Sequence, residues 1–118
     1  MSQISPAEAS DLLLKLFNER VRLATFFITP SGARVRLDGF LTGATWEQGI
    51  FITTHPLPEG GGDFINVFPF KEGECDFSYG EERELAEENR GLARGLGESV
   101  LIIAFHSTGE RFFIFFTF

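Results

Sequence analysis

Seven residues, Phe112-Phe113-Ile114-Phe115-Phe116-Thr117-Phe118, constrain the fold of this chain more than any other stretch. Side chains alternate between the two faces of an extended strand. Phe112, Ile114, Phe116 and Phe118 therefore point one way, and Phe113, Phe115 and Thr117 the other. Each fully buried Phe stabilises by roughly 1.5–3 kcal/mol. An uncovered row would lose that gain and would also invite aggregation. Whatever the fold, something must cover both faces of this strand.

The neighbouring sequence supplies a partner strand. A two-residue loop at Thr108-Gly109 would set Phe105 opposite Phe112, Ile103 opposite Ile114 and Leu101 opposite Phe116 on one face. The other face would hold Ala104 with Phe113, Ile102 with Phe115 and Val100 with Thr117. Both faces of this hairpin are apolar, so it reads as a central element of a sheet.

Earlier segments give the rest of the architecture. Ser5-Pro6-Ala7-Glu8 forms a capping box with Pro at the first helical position. Ala9, Leu12, Leu13, Leu16 and Phe17 follow at helical spacing, which predicts a helix ending near Glu19. Strands are expected over Val21–Thr29, Ala33–Leu41, Gly49–Thr54 and Asp63–Phe70, with a short fifth over Glu74–Phe77. Ser78 to Glu81 reads as a second capping box, before a helix whose thin stripe is Leu85, Leu92, Ala93 and Leu96. The fold class is α+β. A mostly antiparallel, strongly curved sheet of six or seven strands carries two helices, in the order α-β-β-β-β-(β)-α-β-β.

The 118 residues suit one domain, 1–118. A single cysteine, Cys75, excludes an internal disulfide. The beginning of the chain lacks a basic region followed by a long apolar one, and no apolar run approaches the ~20 residues that span a bilayer. The expectation is a cytoplasmic protein without membrane partners. The formal net charge of −7 argues against nucleic acid as a partner. That charge is unevenly placed. Arg20, Arg22, Arg34 and Arg36 cluster without an acid among them, whereas residues 59 to 90 are dominated by Glu and Asp.

The arginines give the leading candidate site. A three-residue turn at Pro30 to Gly32 pairs Ile28 with Arg34, Phe26 with Arg36 and Arg22 with Phe40. Guanidinium groups and aromatic rings then interleave on one sheet face, a surface suited to phosphate, carboxylate or a stacked base. Trp46, beside Gly43 and Gly49, is the second candidate, as an interface anchor. The ligand- or partner-binding set is therefore Arg22, Arg34, Arg36, Phe26, Phe40 and Trp46.

Other groups point to bland roles. Glu72, Glu74 and Asp76 alternate and would share a strand face, but a solvated edge strand explains them without a metal. His55, His106 and Cys75 show no catalytic spacing. The loop from Pro56 to Gly62 lacks a Lys and is flanked by Glu59 and Asp63, so it does not suit phosphate. No catalytic residue, metal or cofactor is assigned, and no motif places the chain in a family.

Two functional expectations follow. The first is a non-enzymatic binding or interaction module acting as a homodimer, in which a second subunit or barrel closure covers the free face of the hairpin. The alternative is a domain for a small anionic ligand, such as a nucleotide, on the Arg and aromatic face.

Overall fold

A computed structural model describes residues 1–40, 43–45, 50–56, 63–69, 75–92 and 95–118. The fold class is α+β with antiparallel pairing throughout. The strands are β1 (Ser2–Ile4), β2 (Arg22–Ile28), β3 (Arg34–Phe40), β4 (Gly43–Thr45), β5 (Ile50–Pro56), β6 (Asp63–Pro69), β7 (Cys75–Glu81), β8 (Ser99–Phe105) and β9 (Arg111–Phe116). The helices are α1 (Pro6–Asn18) and α2 (Glu87–Arg90). Six strands form one open sheet in the order β1-β7-β8-β9-β2-β3, and β4, β5 and β6 form a second. Among the described residues, no helix is long and apolar enough to cross a membrane.

Helix α1 starts as its sequence dictates. The Ser5 hydroxyl accepts from the Glu8 N–H at 3.1 Å, and the Glu8 carboxylate accepts from the Ser5 N–H at 3.2 Å. The helix stops in a Schellman turn. The Val21 N–H donates to the Leu16 carbonyl at 3.1 Å and the Arg20 N–H to the Phe17 carbonyl at 3.2 Å. Arg20 takes a left-handed φ of 49° to close it. The helix buries Ala9, Leu13 and Leu16 against Leu23, Phe77, Leu101, Ile103, Phe112, Ile114 and Phe116. Phe17, counted in the apolar stripe, lies at its exposed border.

Strand β9 lies inside the sheet between β8 and β2. Its register differs from the expected one by two residues: Leu101 faces Ile114 and Ile103 faces Phe112. The cause is the turn. The Phe105 N–H donates to the Glu110 carbonyl and the Gly109 N–H to the Phe105 carbonyl, each at 2.9 Å, so the loop spans 106–109. A shift of two preserves the faces, whereas a shift of one would exchange them. Leu101, Ile103, Phe112, Ile114 and Phe116 therefore still share one side, and Val100, Ile102, Phe113 and Phe115 the other.

The second helix departs from expectation. Ser78 to Glu81 belong to β7, where Ser78 pairs with Ile102 and Glu81 with Ser99, so Ser78 is not a helix cap. Cross-strand pairing overrides the local capping pattern. The chain then makes a 3-10 turn (Glu82–Glu84) and the short α2. This broken segment still does the work expected of a helix. Leu85 is buried against Ala24, Phe26, Ile28, Val100, Phe113 and Phe115, with Leu92 and Leu96 packed alongside. Both faces of the β8–β9 hairpin are thus covered within one chain, by α1 on one side and by Leu85, Leu92 and Leu96 on the other. The hairpin itself supplies no reason for a second subunit.

Candidate functional site

The arginine face is built by the β2–β3 turn. The Thr29 N–H donates to the Ala33 carbonyl at 2.9 Å, and the Ala33 N–H donates back to the Thr29 hydroxyl at 3.0 Å. Gly32 adopts φ +91° to complete the turn, a conformation that glycine accepts without a Cβ clash. The register that follows is the one read from sequence: Ile28 with Arg34, Phe26 with Arg36 and Arg22 with Phe40. Strand β9 extends the first two rows, since Ile28 also pairs with Arg111 and Phe26 with Phe113, and it adds Phe115 opposite Ala24. One sheet face therefore carries Arg22, Arg34, Arg36 and Arg111 around an apolar centre covered by Leu85, Leu92 and Leu96.

Within that face the expected residues separate into different roles. Phe26 is a core residue, meeting Phe115 edge-to-face at 5.9 Å. The Arg36 guanidinium lies over the Phe26 ring at 5.7 Å. Arg36 is also held by Asp38, with Nε–Oδ distances of 3.0 and 3.1 Å and a further contact of 2.8 Å. That hydrogen-bonded carboxylate raises the Arg36 pKa and supplies its counter-ion. Phe40 is exposed at the end of β3. Arg22 and Arg36 line an open cleft of about 390 Å³ with Asp38, Leu96 and Thr117. Trp46 lies outside the described residues.

Arg34 lines a different cleft, of about 440 Å³, at the end of the sheet where the β2–β3 and β8–β9 turns meet. The turns abut closely enough that a Cβ on Gly109 would stand 3.3 Å from Pro30 Cγ. Arg111 reaches the same cleft, and its guanidinium lies 5.5 Å from the Phe113 ring. From the covering segment come Glu88 and Asn89. Asn89 is only 8% exposed. Its backbone N–H donates to the Ala86 carbonyl, and its own carbonyl accepts from Leu92. Among the described residues its side-chain amide has no hydrogen-bond partner, and no ion pair joins Glu88 to Arg34 or Arg111.

Arg111 and Asn89 are the residues that sequence reasoning missed. Asn89 left a trace: it occupies the second place of the helical spacing 85, 89, 92, 96, whose other three places are Leu. Arg111 joins Arg34 only once β9 is known to pair with β2, a non-local fact.

The remaining candidates lie elsewhere. His106 Nε2 stands 2.5 Å from Asp76 Oδ2, and the Gln3 side-chain amide donates to Asp76 Oδ1 at 3.2 Å. Asp76 is thus engaged on the exposed side of β7, next to buried Cys75. Glu72, Glu74 and residues 57–62 lie outside the described residues, and His55 is described only by its pairing with Phe64. Among the described residues, no three His, Cys, Asp or Glu side chains gather as metal ligands would. Compared with known proteins, the chain matches no family model, no curated protein and no solved structure.

Proposed function

We propose that this protein is a binding domain for a small anionic ligand, held in the cleft between Arg34 and Arg111. One observation carries the reading: Asn89, only 8% exposed, lines that cleft, and among the described residues its side-chain amide has no hydrogen-bond partner. Leaving such a group unsatisfied costs about 1–3 kcal/mol, and a ligand bonded to it would recover that cost. The two arginines state the ligand's charge, because guanidinium forks match carboxylate and phosphate oxygens and stay protonated at any working pH. The cleft's volume of about 440 Å³ falls in the range of small-molecule sites. Among its described lining residues the one hydroxyl, that of Thr29, is already engaged by Ser31 and by the Ala33 N–H, which favours binding over catalysis.

An interaction module acting as a homodimer is the weaker reading, because its premise was an uncovered hairpin face. The deciding experiment is calorimetry and thermal melting of the full chain with inorganic phosphate and acetate. Binding should raise the melting temperature by mass action, and the double substitution Arg34→Gln with Arg111→Gln should abolish the effect. Equal shifts in the parent and the double variant, or none in either, would overturn the proposal.

A further inference from the structure

We infer that the ligand of the Arg34–Arg111 cleft is a zwitterion, a small molecule joining a carboxylate or phosphate to a protonated amine. The inference rests on the anion-binding reading above and adds Glu88 to it. The cleft holds charges of both signs that do not neutralise each other. Arg34, Arg111 and Glu88 line one space of about 440 Å³, and among the described residues no ion pair joins them. Arg36 shows the contrast on the same face, since Asp38 grips it through three short contacts. Had Glu88 served as the arginines' counter-ion, a comparable pairing would be expected there.

A bare anion entering this cleft meets two favourable charges and one that repels it. An ammonium group on the same ligand turns Glu88 from a repulsive neighbour into a partner. Asn89 suits such a molecule, because a carboxamide offers two N–H donors and a carbonyl acceptor. It can donate to the ligand's anion and accept from its ammonium. An amino acid and a phosphorylated amine share this chemistry.

Calorimetry on the full chain tests the inference with acetate and phosphate as anions, glycine and phosphoethanolamine as zwitterions, and ethylamine as the cation alone. Glycine should bind about tenfold or more tightly than acetate, and phosphoethanolamine should exceed phosphate similarly, with the tighter of the two zwitterions identifying the anionic group. Glu88→Gln, an exposed substitution, should bring each zwitterion down to its parent anion while the anions bind as well as before or better. Zwitterions no tighter than their anions, or an advantage that survives Glu88→Gln, would overturn the inference while leaving the anion site in place. A panel in which neither acetate nor phosphate nor either zwitterion binds would overturn both.

Discussion

Gly97 runs against the backbone of Phe116 so closely that a Cβ at position 97 would stand 2.6 Å from the Phe116 amide nitrogen and 2.8 Å from its carbonyl oxygen. The obstacle is backbone inside a sheet, which has little room to give. Gly97→Ala should therefore destabilise the protein by about 1–3 kcal/mol, the usual cost of overpacking. Urea denaturation of parent and variant measures it. Gly91→Ala is the control, since a Cβ there meets nothing within 4 Å.

Phe112 and Phe115 stand on opposite faces of β9 and are equally inaccessible, at 2% and 0% exposed. Phe112→Ala and Phe115→Ala should each cost about 3–5 kcal/mol. The informative comparison is the dilution series. With both faces covered inside one chain, the two losses should not depend on protein concentration. A loss for Phe115→Ala that grows on dilution would place a second subunit on that face.

Arg20 holds φ 49° at the position after the α1 cap, where glycine is the usual occupant. An L-residue pays for the left-handed conformation, and glycine does not. Part of the relief is offset because glycine loses more freedom on folding. Arg20→Gly should raise stability by roughly 0.5–1 kcal/mol, readable as a higher urea midpoint with an unchanged slope.

The Glu84 carboxylate accepts from the Glu81 N–H at 2.6 Å, and this bond holds its pKa below the ordinary carboxylate value, against an opposing effect of partial burial. A depressed folded-state pKa means stabilisation that is complete above the unfolded-state pKa and lost as pH falls through the folded one. Glu84→Ala should therefore melt lower than the parent at neutral pH. The gap should close on acidification past the ordinary carboxylate range. A gap that stays constant into acid would show that the Glu84 charge contributes nothing.

Much of this fold was legible because its signals are local. The capping box of α1, the three-residue turn of β2–β3 and the apolar rows of β9 each depend on a few adjacent residues. Ser78 shows where local reading fails: a capping pattern before Glu81 loses to pairing with Ile102 on a strand more than twenty positions away. The β8–β9 register failed more mildly, because a Thr-Gly pair within a four-residue loop resembles a two-residue turn. For the site, Arg34 was legible through the β2–β3 register. Arg111 was not, because its neighbours on the same face come from β2. Glu88 stood out only as one acid among many between residues 59 and 90, and Asn89 only by its spacing from Leu85. What brings them to the cleft is the packing of Leu85, Leu92 and Leu96 on the sheet.

The place of β9 sets the order in which this protein can be assembled. It emerges from the ribosome after every other strand of the six-stranded sheet, yet it joins β2 to β8. Until it arrives, the β2–β3 hairpin and the β7–β8 pair are separate, each with an unpaired strand edge toward the missing centre. Ala24 must find Phe115 across most of the chain. Such non-local closure is slow and leaves unpaired edges exposed meanwhile. Nascent chains stalled before residue 111 should therefore remain sensitive to protease and engage chaperones, however well formed α1 already is.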